Sequence, residues 1–253
     1  MKEQIKQYYE NYDEKGRLFR DKAHLVEWLT TIRYFDRLFA PGSRILDCCA
    51  GTGHYSFYLA DKGHHMTTGD LVPHNVELIK AHPKANLLDN IMICDVMDMP
   101  QFEENSFDIV LCMGALYHLA TDAQKRKAIA NCVAITKPGG LVVLSYINYF
   151  AAIASDTRRG LDHFPEMLTT MSDEGDYLFK VTTPTKITKM SEGAGLKILH
   201  HLGTDGISYI ISDKINEASK TDFESWSDYI YQHCEEPSIL GYSMHGLLIG
   251  QKS

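Results

Sequence analysis

Residues 45–53 read Ile-Leu-Asp-Cys-Cys-Ala-Gly-Thr-Gly, and this stretch decides the fold. An apolar strand runs into an aspartate and then into a loop with two glycines. Gly51 and Gly53 remove side chains where the backbone must turn sharply and let a ligand approach closely. The helix that follows presents unpaired N–H groups at its start. The stretch therefore predicts a nucleotide-cofactor loop in an α/β fold.

Asp47, just ahead of the glycines, indicates which cofactor this loop holds. A site that cradles a pyrophosphate gains little from a carboxylate at this point, since like charges repel. A cofactor with a cationic amino group and no phosphate is attracted by the same carboxylate. S-adenosylmethionine meets that description, whereas NAD and FAD do not.

The loop resembles the first motif of the class I S-adenosylmethionine-dependent methyltransferases, which is written Asp-x-Gly-x-Gly-x-Gly. The family places the aspartate at the end of strand one, as Asp47 is placed here. Cys49 replaces the first glycine of the motif, and a cysteine takes a positive φ less easily than glycine does. Four later segments repeat the resemblance in the family's order, namely residues 65–70, 91–96, 107–119 and 137–146.

These ordered matches imply the family's α/β fold, a doubly wound, mostly parallel seven-stranded sheet of Rossmann-like type. Apolar runs that alternate with helical patterns over residues 43–147 also predict βαβ units. We expect a single methyltransferase domain over residues 1–253. Its expected parts are an N-terminal helical cap (1–40), a cofactor-binding core (43–148), an insertion or lid after strand five (149–185) and the C-terminal part of the sheet (186–253).

The same resemblance implies roles for individual side chains at the cofactor. Asp47 is expected to bind the amino group, Asp70 both ribose hydroxyls and Asp95 the adenine amino group. Arg17, in the cap, is a candidate bidentate partner of the cofactor carboxylate, with a cap-anchoring role as the alternative. The other positions expected at the cofactor are Cys49, Ala50, Gly51, Gly53, Leu71, Val96 and Met113.

Two segments narrow the resemblance to a bacterial subgroup. Residues 114–119 read Gly-Ala-Leu-Tyr-His-Leu, as does the loop after strand four in that subgroup. Residues 8–31 resemble its N-terminal cap. The subgroup is known mostly by fold and cofactor, so the resemblance stops short of a reaction.

His118 and Tyr117 are the candidate catalytic residues. The cofactor carries the reactive group, so the protein mainly aligns the acceptor and excludes water. If the acceptor is a hydroxyl or an ammonium, something must take its proton, and His118 lies at the edge of the sheet where ligands bind. Tyr117 is a candidate to flank adenine or the substrate. The alternative for His118 is a structural role near the cofactor, and the alternative for Tyr117 is an aromatic ring packed beneath the lid. The sequence leaves the attacking atom open among O, N and S.

Composition narrows the partners. The formal net charge of −8, without a clustered basic patch, argues against nucleic acid and favours a small-molecule acceptor. No apolar run approaches the roughly 20 residues that span a bilayer, so we expect no membrane partner and a cytoplasmic protein. The six cysteines form no Cys-x-x-Cys pair, and adjacent histidines in a strand point to opposite faces. We therefore predict reduced thiols and no metal. The sequence does not indicate the oligomeric state.

Two rival functions share part of the pattern. An NAD(P)-dependent oxidoreductase has the same strand, glycine loop and downstream acid. Asp47 opposes it, as does Ser56, which stands where Gly-x-Gly-x-x-Gly has its last glycine. The second rival is a protein that holds S-adenosylmethionine without catalysing transfer, and the absence of a compelling base keeps it open.

Overall fold

The computed structural model describes residues 3–4, 7–8, 14–158, 160–171 and 179–253. Part of the predicted cap, residues 9–13, and the acidic part of the predicted lid, residues 172–176, lie outside the described residues.

One sheet organises the described part of the chain. Its strands are β1 (Arg44–Asp47), β2 (His65–Asp70), β3 (Asn90–Ile93), β4 (Phe107–Cys112), β5 (Thr136–Ile147), β6 (Leu196–Gly203) and β7 (His245–Lys252). They are ordered β3-β2-β1-β4-β5-β7-β6. Strands β1 to β5 pair in parallel, and β7 runs antiparallel to both of its neighbours. The predicted doubly wound, mostly parallel seven-stranded sheet is therefore confirmed.

Helices cover both faces of this sheet. Those described after residue 20 are α1 (Lys22–Leu38), α2 (His54–Asp61), α3 (Pro73–Lys80), α4 (Asp122–Ile135), α5 (Tyr149–Thr157), α6 (Phe164–Thr170), α7 (Pro184–Gly193), α8 (Ser212–Glu217), α9 (Lys220–His233) and α10 (Pro237–Tyr242). Short 3₁₀ turns occupy Glu14–Phe19, Ala85–Leu87 and Leu116–His118. No helix among the described residues is both long and apolar enough to cross a membrane.

Local sequence explains where two of these helices begin. The Asp21 side chain accepts a hydrogen bond from the His24 N–H at 3.0 Å and caps α1. At the start of α4, Thr121 and Gln124 form a reciprocal capping box. In the predicted lid, α5 and α6 form where the sequence showed no regular helical rhythm.

The core lies in two apolar layers, one on each face of the sheet. Adjacent residues of β4 show the division, because Val110 packs in one layer and Leu111 in the other. Helix α4 contributes Ile129 to the first layer, and α1 contributes Phe35 to the second. Burial on both faces accounts for the nearly continuous apolar sequence of the central strands. The carboxyl ends of β1 and β4 thus meet at the switch point, where open α/β sheets bind ligands.

Candidate functional site

A cavity of about 560 Å³ opens at the carboxyl ends of β1 to β4. It is lined by every residue predicted for the site except Gly53, which lies at the start of α2. The predicted residues that line it are Arg17, Asp47, Cys49, Ala50, Gly51, Asp70, Leu71, Asp95, Val96, Met113, Tyr117 and His118. The topology of the sheet therefore brings these separate segments together.

Asp47 ends β1 and is buried beneath the glycine loop. Its Oδ2 atom accepts a hydrogen bond of 2.8 Å from the Ser56 hydroxyl. Burial raises the pKa of Asp47 to about 7; the Ser56 hydrogen bond opposes this increase and the nearby Asp70 adds to it. A carboxyl in this state is stabilised as the anion when a cation approaches it.

The loop after Asp47 uses glycine where the backbone is left-handed. Gly51 has a φ of 56° and Gly53 a φ of 86°. Cys49, which replaces the first glycine of the motif, is not among the described residues with positive φ. The loop therefore accommodates this cysteine without left-handed strain.

Asp70 ends β2 and holds the loop from the other side. Its Oδ2 accepts from the Gly51 N–H at 2.8 Å, and its Oδ1 accepts from the Val72 N–H at 2.8 Å and the Asn75 amide at 3.1 Å. Burial raises the pKa of Asp70, although these donors oppose the increase. A carboxylate offers about four acceptor positions, so these contacts leave one position on Oδ2.

The third carboxylate lies beyond β3. Asp95 is partly buried, and its Oδ1 accepts a hydrogen bond of 3.0 Å from the Met97 N–H. The predicted apolar residues Leu71, Val96 and Met113 line the same cavity, and Val96 is the most buried of them. The cavity thus combines the acidic acceptor of Asp95 with apolar side chains.

Arg17 lines the cavity and also pairs with Glu27 of α1. Its Nη1 atom lies 2.9 Å from Glu27 Oε2, and its Nη2 atom 3.3 Å from Oε1. Burial by itself would raise the pKa of Glu27, but the Arg17 guanidinium and His245 lower it to about 2. The pair with Glu27 supports the cap-anchoring alternative, while the position of Arg17 in the lining of the cavity supports the cofactor hypothesis.

Tyr117 and His118 lie in the 3₁₀ turn after β4. His118 is buried, with its ring centroid 4.7 Å from that of Tyr117 and 5.1 Å from that of Phe179. The Lys180 N–H donates to the Tyr117 carbonyl at 2.6 Å. The end of the predicted lid thus packs on both candidate catalytic residues.

Two hydroxyls that sequence reasoning missed also belong to the site. Thr52 and Tyr55 line the cavity, and both hydroxyl oxygens are buried without a hydrogen-bond partner among the described residues. Trp28 stacks on the Tyr55 ring at 4.8 Å. Buried polar atoms are normally hydrogen-bonded, so these two hydroxyls suit a polar ligand. The position of Thr52 between the two glycines of the motif was the sequence feature that could have indicated its place in the site.

Three thiols converge beside the loop. The sulfur atoms of Cys48, Cys49 and Cys112 lie within 4.8 Å of one another, and all six cysteines are free. These atoms are the candidate ligands if a soft metal binds, a grouping that sequence spacing did not reveal. The absence of a metal site stays a prediction.

Comparison with known proteins identifies the chemistry. Residues 45–140 match the methyltransferase domain family. The chain is an S-adenosylmethionine-dependent methyltransferase. S-adenosylmethionine is its cofactor, as predicted from Asp47.

Individual proteins that resemble this chain are also methyltransferases by name, but they do not establish which molecule accepts the methyl group here. The methyltransferase is 28% identical over 180 residues to the ubiquinone biosynthesis O-methyltransferase of Coxiella burnetii, an alignment that covers 71% of this chain and 74% of the relative. A chain in the complex between the Haloferax volcanii Trm112 methyltransferase activator and the putative methyltransferase matches with a TM-score of 0.65 and 19% identity, covering 98% of this chain and 96% of that one.

A putative sarcosine dimethylglycine methyltransferase from Galdieria sulphuraria matches with a TM-score of 0.55 and 19% identity, covering 90% of this chain and 85% of that one. At these identities the solved structures support the fold alone.

Proposed function

We propose that this methyltransferase transfers the methyl group of S-adenosylmethionine to a small-molecule acceptor. The observation that carries the proposal is the convergence of Asp47, Asp70 and Asp95 on one cavity at the switch point of the sheet. The name of the O-methyltransferase relative also favours a small acceptor. We include in this proposal a cytoplasmic location and the absence of nucleic-acid substrates, which the net charge of −8 supports.

The residues at the end of β1 fit the methionine end of the cofactor. A buried carboxyl with a pKa of about 7 gains an ion pair when an ammonium group arrives, and Asp47 is proposed to bind that group. Arg17, which lines the same cavity, is proposed to bind the cofactor carboxylate through its guanidinium group. The unpartnered hydroxyls of Thr52 and Tyr55 would donate to the same end.

The opposite end of the cavity fits the nucleoside. The remaining acceptor position of Asp70 is proposed to accept a hydrogen bond from one ribose hydroxyl. From the sequence we expected Asp70 to bind both ribose hydroxyls, so this proposal has one hydrogen bond fewer. Asp95 is proposed to accept from the adenine amino group. Leu71, Val96 and Met113 would cover the ring.

The bound cofactor supplies an electrophilic methyl group, so the chain's own residues bind, orient and exclude water. Tyr117 and His118 are proposed to form the wall against which the acceptor packs, because Phe179 from the lid covers both rings. The attacking atom of the acceptor is not fixed by these contacts.

Calorimetric titration with S-adenosylmethionine, S-adenosylhomocysteine and NADH tests the proposal. We expect one-to-one binding of the first two compounds and no binding of NADH. Transfer of a labelled methyl group across a panel of small acceptors then tests the reaction. Binding of NADH alone would contradict the assignment of Asp47, and label found only in nucleic acid would contradict the small-molecule acceptor.

A further inference from the structure

Four charged side chains form a chain of contacts beneath α1, beside the cofactor cavity. We call Arg17, Glu27, His245 and Asp205 the edge network. Glu27 Oε2 lies 2.9 Å from Arg17 Nη1 and 3.4 Å from His245 Nδ1. Asp205 Oδ2 lies 2.8 Å from the same His245 nitrogen. Because Arg17 lines the cavity, the network leads from the cofactor site towards the last strands of the sheet.

The topology places this network on the ligand-binding edge. Strand β7 runs antiparallel, so its first residue, His245, pairs with Ile147 at the carboxyl end of β5. Asp205 follows the end of β6, and Glu27 belongs to α1. Three elements that are distant in sequence therefore meet at one histidine beside the cavity.

His245 and Asp205 have the geometry of an oriented base. Asp205 is buried. Its Oδ1 atom accepts hydrogen bonds from the Ser243 hydroxyl at 2.5 Å and from the backbone N–H of His245 at 3.2 Å. Both groups that face Nδ1 are carboxylates, so Nδ1 carries the proton of the neutral ring, and Nε2 then holds the lone pair. No described residue forms a hydrogen bond with Nε2, and the His245 side chain is 27% exposed.

A second partly buried histidine, His201, shows the contacts of a structural histidine in this fold. His201 bonds through both nitrogens, to the Tyr146 hydroxyl at 2.9 Å and the Thr188 hydroxyl at 3.1 Å. Burial lowers its pKa to about 4. His245 differs because one nitrogen is fixed and the other is open, the arrangement in which an orienting acid prepares a histidine to take a proton.

The charges around His245 strengthen it as a base. Burial alone would lower the pKa of His245, but the carboxylates of Glu27 and Asp205 outweigh burial and raise it, while Arg17 acts in the opposite direction. These groups reach the ring from α1, from the segment after β6 and from the first 3₁₀ turn. The imidazolium formed after proton uptake is therefore stabilised by two carboxylates.

We propose that His245, held by Asp205, accepts the proton from the hydroxyl group of an aromatic acceptor bound between the cofactor cavity and β7. The proton passes from the acceptor oxygen to Nε2, the oxygen keeps both electrons of the O–H bond, and the Nδ1 proton stays on the bond to Asp205. Proton transfer to imidazole is most efficient from a group of similar acidity, which favours a phenolic hydroxyl over an aliphatic one. The aromatic ring of Tyr55, which lines the cavity and lies near Glu27 and Arg17 of the edge network, suits the same class.

This inference rests on the proposed function, so its test is made on the protein saturated with S-adenosylhomocysteine. The probe is 4-nitrophenol, whose anion absorbs visible light, at a pH where the free compound is mostly neutral. We expect the bound probe to show the phenolate spectrum in the wild type. In His245→Gln the phenolate signal should disappear or the affinity should fall at least about tenfold, since a charge-assisted hydrogen bond is lost.

Two further variants make the result specific. His200→Gln is the matched control, because His200 is also a partly exposed histidine paired with a carboxylate, Glu235 at 3.0 Å, and should leave the spectrum unchanged. Asp205→Asn keeps the shape of the acid, and the phenolate should then appear only at higher pH.

Calorimetry with S-adenosylhomocysteine is run on every variant. If the wild type fails to bind it, the proposed function is wrong. If it binds but the wild type gives no phenolate signal, or His245→Gln keeps the signal, the inference about His245 is overturned.

Discussion

Ser56, in the first turn of α2, donates a hydrogen bond of 2.8 Å to Oδ2 of Asp47 at the end of β1. This serine occupies the position of the last glycine in a dinucleotide-binding motif. The residue that argued against a dinucleotide site is thus the one that orients the carboxylate proposed to bind the cofactor's ammonium group. The same serine therefore argues against a pyrophosphate site and supports the proposed binding of a cation at Asp47.

Replacing Asp47 with asparagine should weaken cofactor binding without lowering the thermal stability of the ligand-free protein. We expect the affinity for S-adenosylhomocysteine to fall at least about tenfold, because a charge-assisted contact worth roughly 1.5–3 kcal/mol is lost. The ligand-free variant should unfold at the same or a higher temperature, since the buried carboxylate no longer needs to ionise. Calorimetry and thermal unfolding measure the two effects. Asp61→Asn, at an exposed aspartate paired with Lys84, is the control and should leave affinity unchanged.

Cofactor affinity should depend on pH through Asp47. Its pKa in the ligand-free protein is about 7, and an adjacent ammonium lowers it. Binding therefore releases a proton below that pH, and affinity should rise from about pH 5 to about pH 7 and then level off. Calorimetry in buffers of different ionisation enthalpy counts the protons. Equal proton release by wild type and Asp47→Asn would exclude Asp47 as the source.

The stability of the ligand-free protein should show the opposite trend. A carboxyl whose folded pKa is raised above the unfolded value of about 3.9 contributes stability that is complete at low pH and is lost as pH rises through about 7. Asp47→Asn should flatten this part of the pH profile.

Much of the cofactor site could be predicted because its residues follow strands in sequence. Asp47 and Asp70 end strands and Asp95 closely follows one, and parallel strands bring such positions to one edge of a sheet. The chemistry of these side chains and the rule that parallel strands end at one edge were therefore sufficient to predict that the three carboxylates share a cavity. The helical patterns that alternate with the apolar runs over residues 43–147 likewise correspond to α2, α3 and α4.

The edge network could not be predicted in the same way. His245 and Asp205 are 40 residues apart, and Glu27 lies in the cap. An antiparallel strand and a helix that crosses over the sheet bring these three residues together. Neither arrangement produces a characteristic spacing of residues in the sequence. The sequence offered a cap-anchoring role for Arg17 as an alternative, but for the same reason it did not indicate that Glu27 is the partner.

Asp70→Ala should weaken S-adenosylhomocysteine binding by about a factor of ten or more, as one charge-assisted hydrogen bond to ribose and the anchor of the glycine loop are both lost. Asp70→Asn keeps an acceptor for the Gly51 N–H and should lose less. Adenine alone makes no ribose contact, so its binding should change less than that of the nucleoside. Undiminished binding of S-adenosylhomocysteine by Asp70→Ala would refute the ribose assignment.

Arg17→Ala tests the proposed contact with the cofactor carboxylate. We expect S-adenosylhomocysteine affinity to fall about tenfold, since a guanidinium–carboxylate pair is lost. Methylthioadenosine lacks the amino-acid end and should bind as tightly to the variant as to the wild type. If both ligands weaken equally, Arg17 acts by anchoring the cap to Glu27. If S-adenosylhomocysteine binding stays within about twofold, the carboxylate hypothesis fails.

Gly246→Ala tests how closely β7 packs on the core beside His245. A Cβ at this position would lie 2.1 Å from Cζ of Tyr146, a ring that is 1% exposed and bonded to His201 at 2.9 Å. Because neither the ring nor the strand has room to move, we expect a loss of about 1–3 kcal/mol or more in unfolding free energy. Gly193→Ala, at the end of α7 with no atom within 4 Å of the new Cβ, is the control and should be neutral or slightly stabilising. Urea midpoints compare the two variants, and equal midpoints would mean that β7 can shift away from Tyr146, which would also loosen the position of His245.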